Sequence, residues 1–65
     1  MNKLIKMELS KIEYRDILIA RELSIEETNP YKSLQIIRDL LGVSLLCSKA
    51  ILYDWHIVYQ FKLTQ

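Results

Sequence analysis

The 65 residues of this chain are enough for one small domain, so a single domain over residues 1–65 is predicted. Nine basic and eight acidic side chains give a formal net charge of +1, which argues against a general nucleic-acid-binding protein. Cys47 and His56 are the only cysteine and histidine, which excludes an internal disulfide and a histidine–cysteine metal site. No cofactor is therefore expected.

A cytoplasmic location is expected, because no apolar run approaches the roughly 18 residues of a membrane span and the N-terminal stretch has no secretion-signal pattern. A domain of this size buries only about 60% of the surface of its unfolded chain, which leaves it marginally stable alone. With 51% hydrophobic residues, part of the apolar surface is expected to face a partner or a second copy.

The first part of the chain predicts a strand followed by a helix. Residues 2–9 alternate between apolar and polar side chains, and this period of two indicates a half-buried β strand. Ser10 and Glu13 have the spacing of a capping box, which predicts a helix from Ser10 to about Leu23. That helix has two apolar stripes. The stripe expected to face the core is Ile12, Ile19, Ala20 and Leu23, and the stripe expected to drive self-association is Tyr14, Ile17 and Leu18.

The middle of the chain predicts a helical hairpin. Asn29 suits the N-cap and Pro30 the first position of a helix that runs to about Leu41. Gly42, the only glycine, is expected to end this helix in the left-handed conformation, and Ser44 to cap the next one. In that third helix, the side chains expected to face inward are Leu45, Leu46, Ile51 and Leu52, and those expected to face water are Ser48, Lys49 and Tyr53.

The last segment, WHIVYQFKLT, predicts a second strand over residues 55–64 in preference to a continued helix. Its apolar residues alternate strictly and are mostly aromatic or β-branched. The predicted fold is therefore α+β, a small β-α-α-α-β domain with three helices and a short two-stranded antiparallel sheet. An all-α three-helix domain is the alternative. The aromatic row of Trp55, Tyr59 and Phe61 is expected to lie in the core.

The chain is predicted not to be an enzyme, because it has no glycine-rich phosphate loop, no second histidine and no activated nucleophile. The Leu-Gly-Val-Ser turn at 41–44 occurs in many helix-turn-helix DNA-binding domains. That motif also requires a small residue four positions before the glycine and a buried aliphatic residue six positions after it. This chain has Arg38 and Ser48 at those positions, so neither requirement is met. A helix-turn-helix regulator is therefore the alternative function and not the main prediction.

The hairpin resembles that of the C-terminal domain of the bacterial ribosomal stalk protein. Residues that match or are similar to the family pattern are Leu34, Ile37, Arg38, Gly42, Leu45, Lys49, Ile51 and Leu52, and Ser48 stands where the family has alanine. The preceding SKIEYRDILIARE resembles the short helix before this hairpin in small stand-alone stalk-like proteins. The similar hairpin of elongation factor Ts and ubiquitin-associated-type domains matches less well, because it requires a third helix where a strand is predicted here.

The stalk domain docks translational GTPases through basic and aliphatic residues of its hairpin, so the resemblance implies a protein-binding surface. Arg38 and Lys49 match two of the basic positions, whereas Gln35 and Pro30 replace lysines of the family. Leu46 and Cys47 replace a Lys-Glu pair, which further reduces the basic surface. The predicted partner-binding residues are Tyr31, Leu34, Gln35, Arg38 and Lys49.

The sequence thus predicts a non-enzymatic protein-binding module, such as a small adaptor or a phage-type inhibitor of a host protein. Its partner is expected to be an intracellular protein, bound through residues 30–53 or by strand addition at a sheet edge. A homodimer through the stripe of Tyr14, Ile17 and Leu18 is a further expectation. The alternatives are a helix-turn-helix DNA-binding regulator and a structural subunit of a larger complex.

Overall fold

A computed structural model describes all 65 residues, and every regular element in it is an α helix. The helices are α1 (Lys3–Ser10), α2 (Tyr14–Ile25), α3 (Pro30–Leu41), α4 (Leu45–Tyr53) and α5 (Trp55–Leu63), which together hold 77% of the residues. The predicted α+β fold with its terminal sheet is therefore wrong, and the chain is a small all-α domain of five helices. None of the helices has both the length and the apolar character needed to cross a membrane.

The strand predicted at residues 2–9 is helix α1. The Oδ1 atom of Asn2 caps it by accepting from the backbone N–H of Leu4 at 2.7 Å. Ile5 and Leu9 lie four residues apart on one helical face and are both buried. Met7, which a strand would have placed beside them, is exposed. The alternation therefore reflected a short helix with only two core side chains.

The capping box predicted at Ser10 and Glu13 does not form. Ser10 is the last residue of α1, and its hydroxyl donates back to the carbonyl of Lys6 at 2.7 Å. Helix α2 begins at Tyr14, with Glu13 at its N-cap and no side-chain cap bond. The Ser10 hydroxyl therefore bonds a backbone carbonyl of α1 and does not cap the N-terminus of α2.

The strand predicted at residues 55–64 is helix α5. Its fully buried residue is Val58, flanked on the core side by the partly buried Trp55 and Phe61. These three residues follow the spacing of a helix, whereas Ile57 and Tyr59 of the alternating set are exposed. Six of the ten residues in the segment are apolar and fit either period in part, and the tertiary contacts selected the helical one.

The predicted hairpin is confirmed as α3, a three-residue turn and α4. The Oδ1 atom of Asn29 accepts from the backbone N–H of Tyr31 at 3.0 Å, and Pro30 occupies the first helical position. Gly42 ends α3 with φ 68°, and its N–H donates to the carbonyl of Arg38 at 2.8 Å. The hydroxyl of Ser44 accepts from the N–H of Cys47 at 3.1 Å and so caps α4.

Helix α4 lies at the centre of the domain and contacts each of the other four helices. Its buried residues are Cys47, Ser48, Ala50 and Ile51. The prediction that Ser48 faces water is wrong, because its hydroxyl donates to the Ser44 carbonyl at 3.0 Å and needs no solvent. The prediction that Leu45 and Leu46 face inward is also wrong, and both are exposed.

Charged side chains from two other helices hold α4 in place. At its N-terminus the Glu8 carboxylate accepts from the backbone N–H of Ser44 at 2.9 Å and from the Ser44 hydroxyl at 2.8 Å. Toward its C-terminus the Nε of Arg21 donates to the carbonyl of Ile51 at 3.2 Å. Both charges have the sign that stabilises the helix dipole at that end.

Helix α1 is held in the same way by the last helix. The Nζ of Lys62 donates to the carbonyls of Leu9 at 3.0 Å and Ile12 at 2.7 Å, at the C-terminal end of α1. The Leu9 carbonyl also accepts from the backbone N–H of Ile12 at 3.2 Å, and the ammonium group adds a charged donor that suits the negative end of the helix dipole. Lys62 therefore joins the two terminal helices.

We expect the substitution Gly42→Ala to destabilise the domain by about 1 kcal/mol, because an L-residue is strained in the left-handed region. A Cβ at this position would meet no atom within 4 Å, so backbone strain is the only cost. Urea unfolding measures the change. Gly42→Asn is the matched control and should cost less, since asparagine tolerates this conformation. Equal losses for both variants would contradict the assignment.

We expect Glu8→Ala to lower the free energy of unfolding by about 1–2 kcal/mol, since it leaves the N-terminus of α4 without its second cap. Glu8→Gln keeps an acceptor oxygen and should lose less. Urea unfolding of the two variants measures the difference, and a Gln variant as unstable as the Ala variant would show that the hydrogen bonds to Ser44 are not what stabilises α4.

Candidate protein-binding surfaces

The residues predicted to bind a partner lie on the two helices of the hairpin. Tyr31, in the first turn of α3, is 58% exposed, and Lys49 of α4 is also exposed. Leu34, Gln35 and Arg38 are half-buried. Because a turn of only three residues joins α3 to α4 and the helices pack on each other, the residues from both helices can contribute to one surface.

The two cations of this surface differ in their surroundings. The Nε of Arg38 donates to the Oδ1 of its neighbour Asp39 at 3.2 Å, which makes a partly exposed ion pair. Lys49 forms no ion pair within the chain. Of the two predicted binding cations, Lys49 is therefore the one without an acidic partner in the chain.

Leu46 and Tyr53 belong to the same surface, although the sequence reasoning did not include them in the binding set. Leu46, Lys49 and Tyr53 follow a spacing of three and four residues, which places them on one side of α4. All three are exposed. The signal was present in the sequence, because Lys49 and Tyr53 were expected to face water and Leu46 shares their stripe. We call the combined surface the hairpin face, and its residues are Tyr31, Leu34, Gln35, Arg38, Leu46, Lys49 and Tyr53.

The residues predicted to drive self-association do not form one exposed surface. Ile17 is fully buried in the core. Tyr14 is half-buried and stacks on Trp55, with ring centroids 6.1 Å apart and an interplanar angle of 17°. Leu18 is the exposed member of the three. The stripe that was expected to face outward thus supplies a core residue and an interhelical contact.

The stripe of α2 that was expected to face the core is partly exposed. Ala20 is buried as predicted, but Ile19 and Leu23 are exposed. The core side of α2 is instead the row of Ile17, Ala20 and Ser24, whose spacing is also helical. Ser24 can be buried because its hydroxyl donates to the carbonyl of Arg21 at 2.7 Å.

A groove runs between α2, α3 and the turn after α1, with a volume of about 490 Å³. The residues that line it are Lys11, Ile12, Glu13, Asp16, Ile19, Ala20, Leu40 and Leu41. A second hollow of about 310 Å³ shares Lys11, Ile12 and Leu41 with it and extends to Gly42. We call the larger one the α2–α3 groove. It is a second exposed surface with an apolar floor, separate from the residues of the hairpin face.

An aromatic cluster joins α2 to α5. Tyr14, Trp55 and Tyr59 have ring centroids 6.1–6.2 Å from one another. The guanidinium of Arg21 lies 4.9 Å from the centre of the Trp55 ring. The Nε of the same side chain donates to the Ile51 carbonyl of α4. The predicted core role of the aromatic row therefore holds in part, since Trp55 packs against the core and Tyr59 remains exposed.

Cys47 is fully buried, as predicted for a small apolar side chain. Burial raises the pKa of its thiol to about 12, and the nearby Glu8 carboxylate adds to the rise through its charge and a hydrogen bond. The thiol is thus protonated near neutral pH and is a poor nucleophile there. No group of three or more histidine, cysteine, aspartate or glutamate residues is placed to hold a metal ion.

None of the known protein families, curated proteins or solved structures compared with the chain matches it. The resemblance of the hairpin to that of the ribosomal stalk protein therefore depends on the matching residues alone. The hairpin of elongation factor Ts requires a third helix after it, and residues 55–63 of this chain form helix α5.

We expect the stability of the folded chain to fall with pH between about 9 and 12 because of Cys47. In this range the unfolded chain loses the thiol proton while the folded chain, whose pKa is raised to about 12, keeps it. The free energy of unfolding should therefore decrease by at most about 1.4 kcal/mol per pH unit from this group. Urea unfolding at several pH values should give a smaller slope for Cys47→Ala, and equal slopes would contradict the raised pKa.

Proposed function

We propose that the chain is a non-enzymatic, cytoplasmic protein-binding module that contacts another protein through the hairpin face. The observation that carries the proposal is the solvent side of α4, where Leu46 and Tyr53 surround the unpaired Lys49. Leu46 and Tyr53 are 45% and 58% exposed. Their exposure on one helix supports a role in contacting a partner.

The composition of the hairpin face supports a specific protein contact. Tyr31 and Tyr53 are each 58% exposed and offer large apolar rings with a polar tip. Tyrosine and arginine are enriched among residues that contribute most to protein interfaces. Arg38 and Lys49 would favour a partner with an acidic patch, because complementary charge speeds association and fixes the orientation of the complex.

The non-enzymatic part of the proposal is supported by the chemistry of the buried thiol. Cys47 is fully buried and its pKa is raised to about 12, so it is not available for nucleophilic attack near neutral pH. Strand addition at a sheet edge is no longer part of the proposed mode of binding, since the chain has no strand.

The DNA-binding alternative has less support than protein binding. A recognition helix places cations or hydrogen-bonding side chains against phosphates and base edges. The exposed side chains of α4 are instead Leu45, Leu46, Lys49 and Tyr53, with a single cation among them. The other side of α4 is buried against the rest of the domain.

We expect the double variant Arg38→Glu, Lys49→Glu to recover the specific partner of the wild-type chain about tenfold less from a cell lysate, because close charge pairs contribute strongly at interfaces. Quantitative mass spectrometry of the captured proteins measures how much of the partner each variant recovers. The double variant Lys11→Glu, Arg15→Glu is the matched control, since it makes the same change of charge at exposed residues outside the hairpin.

Equal recovery by both double variants and the wild type would show that the hairpin face is not the binding site. A salt-dependent shift of duplex DNA by the wild-type chain, lost in Arg38→Glu, Lys49→Glu, would favour the DNA-binding regulator instead. Circular dichroism of each variant confirms that the helices are intact before the binding results are compared.

A further inference from the structure

The α2–α3 groove has an unusually exposed apolar floor. Ile19 of α2 is 53% exposed and Leu40 of α3 is 55% exposed, and both line the groove. Leu23 lies one helical turn after Ile19 and Ile36 one turn before Leu40, so aliphatic residues continue along both helices. Nothing within the chain covers this floor, although covering it would remove several aliphatic side chains from water.

The rim of the groove is acidic on the α2 side. Glu13 and Asp16 line it, and their side chains are mostly exposed. Arg15 approaches them at 3.6 and 4.0 Å, but ion pairs at such distances on the surface contribute little. Lys11 is the one cation that lines the groove, so its two carboxylates leave the groove with a net negative charge. An occupant of the groove should therefore carry aliphatic side chains with cations beside them.

The outer face of α1 has this chemistry. Leu4 is 46% and Met7 is 51% exposed, because Ile5 and Leu9 on the opposite side anchor α1 to the core. Lys3 and Lys6 are exposed beside them and form no ion pair within the chain. We call these four residues, Lys3, Leu4, Lys6 and Met7, the α1 outer face. At eight residues, α1 is about 12 Å long, which is short enough to lie along a groove between two helices.

We propose that a second copy of this chain occupies the α2–α3 groove through its α1 outer face. Leu4 and Met7 of one copy cover the floor formed by Ile19 and Leu40 of its partner. The flexible methionine side chain adapts to such an irregular surface. Lys3 and Lys6 then face the acidic rim, so the contact joins apolar burial to charges of opposite sign.

The position of the two surfaces allows the contact to form twice. Lys11 and Ile12 line the groove and directly follow the last residue of α1, so the groove and the α1 outer face are neighbours on the molecule. Two copies related by a two-fold axis can then exchange α1 contacts reciprocally. The residues of this contact differ from those of the hairpin face, so a dimer leaves the hairpin face free for another protein.

Sedimentation velocity over a range of concentrations tests the proposal on the full chain. The wild type should form a dimer in a concentration-dependent way. Each of two charge-reversal variants, Lys3→Glu with Lys6→Glu and Glu13→Lys with Asp16→Lys, should raise the dimer dissociation constant at least about fivefold, since like charges now meet at both contacts. An equimolar mixture of the two variants should regain wild-type affinity, because both contacts between unlike copies are again complementary.

A folding defect would not be repaired by mixing, so the mixture separates an interface effect from damage to the domain. The proposal is overturned if the wild type is monomeric up to millimolar concentration, or if the mixture associates no more tightly than either variant alone. A mass that grows beyond two copies would overturn the closed, two-fold arrangement. The variant Arg38→Glu, Lys49→Glu should dimerise like the wild type, and a loss of dimer there would place the contact on the hairpin face instead.

Discussion

The domain depends on satisfying both ends of α4, a nine-residue helix at its centre. A helix this short is unstable in water by itself, and its terminal backbone groups lack partners within the helix. Glu8 supplies acceptors at the N-terminus and Arg21 a donor near the C-terminus. These same bonds attach α1 and α2 to α4. The polar contacts that complete the central helix therefore also fix the arrangement of the helices around it.

The sequence predicts the hairpin correctly, because its signals are local, and it predicts most of α2 over residues 14–23. Asn29, Gly42 and Ser44 each act on backbone groups within four residues, so their roles can be read without knowing the tertiary structure. The terminal segments lack such signals. Their apolar residues fit a strand or a helix, and the choice depends on contacts with distant parts of the chain. One of these contacts, from Lys62 to Ile12, spans 50 residues.

The surfaces were harder to predict because three serines occupy core positions. The hydroxyls of Ser24, Ser33 and Ser48 are buried and donate to backbone carbonyls near them in sequence. From the sequence alone, serine side chains are expected at the surface and aliphatic side chains in the core. Aliphatic residues of the same helices, such as Ile19 of α2 and Leu46 of α4, are exposed instead. The buried serines and the exposed aliphatic residues thus both differ from what the hydrophobic pattern predicts.

The bond between Lys62 and the end of α1 has a consequence for how the domain opens. α1 and α5 are the first and last helices, and helices at chain ends usually fray independently. Here the ammonium group donates to two carbonyls at and just after the end of α1, and Gln65 adds a bond to the Ser10 hydroxyl at 2.8 Å. Release of either helix breaks these bonds, although the other helix keeps its own contacts with α4. The two ends of the chain are therefore coupled, so that local opening of one helix makes opening of the other easier.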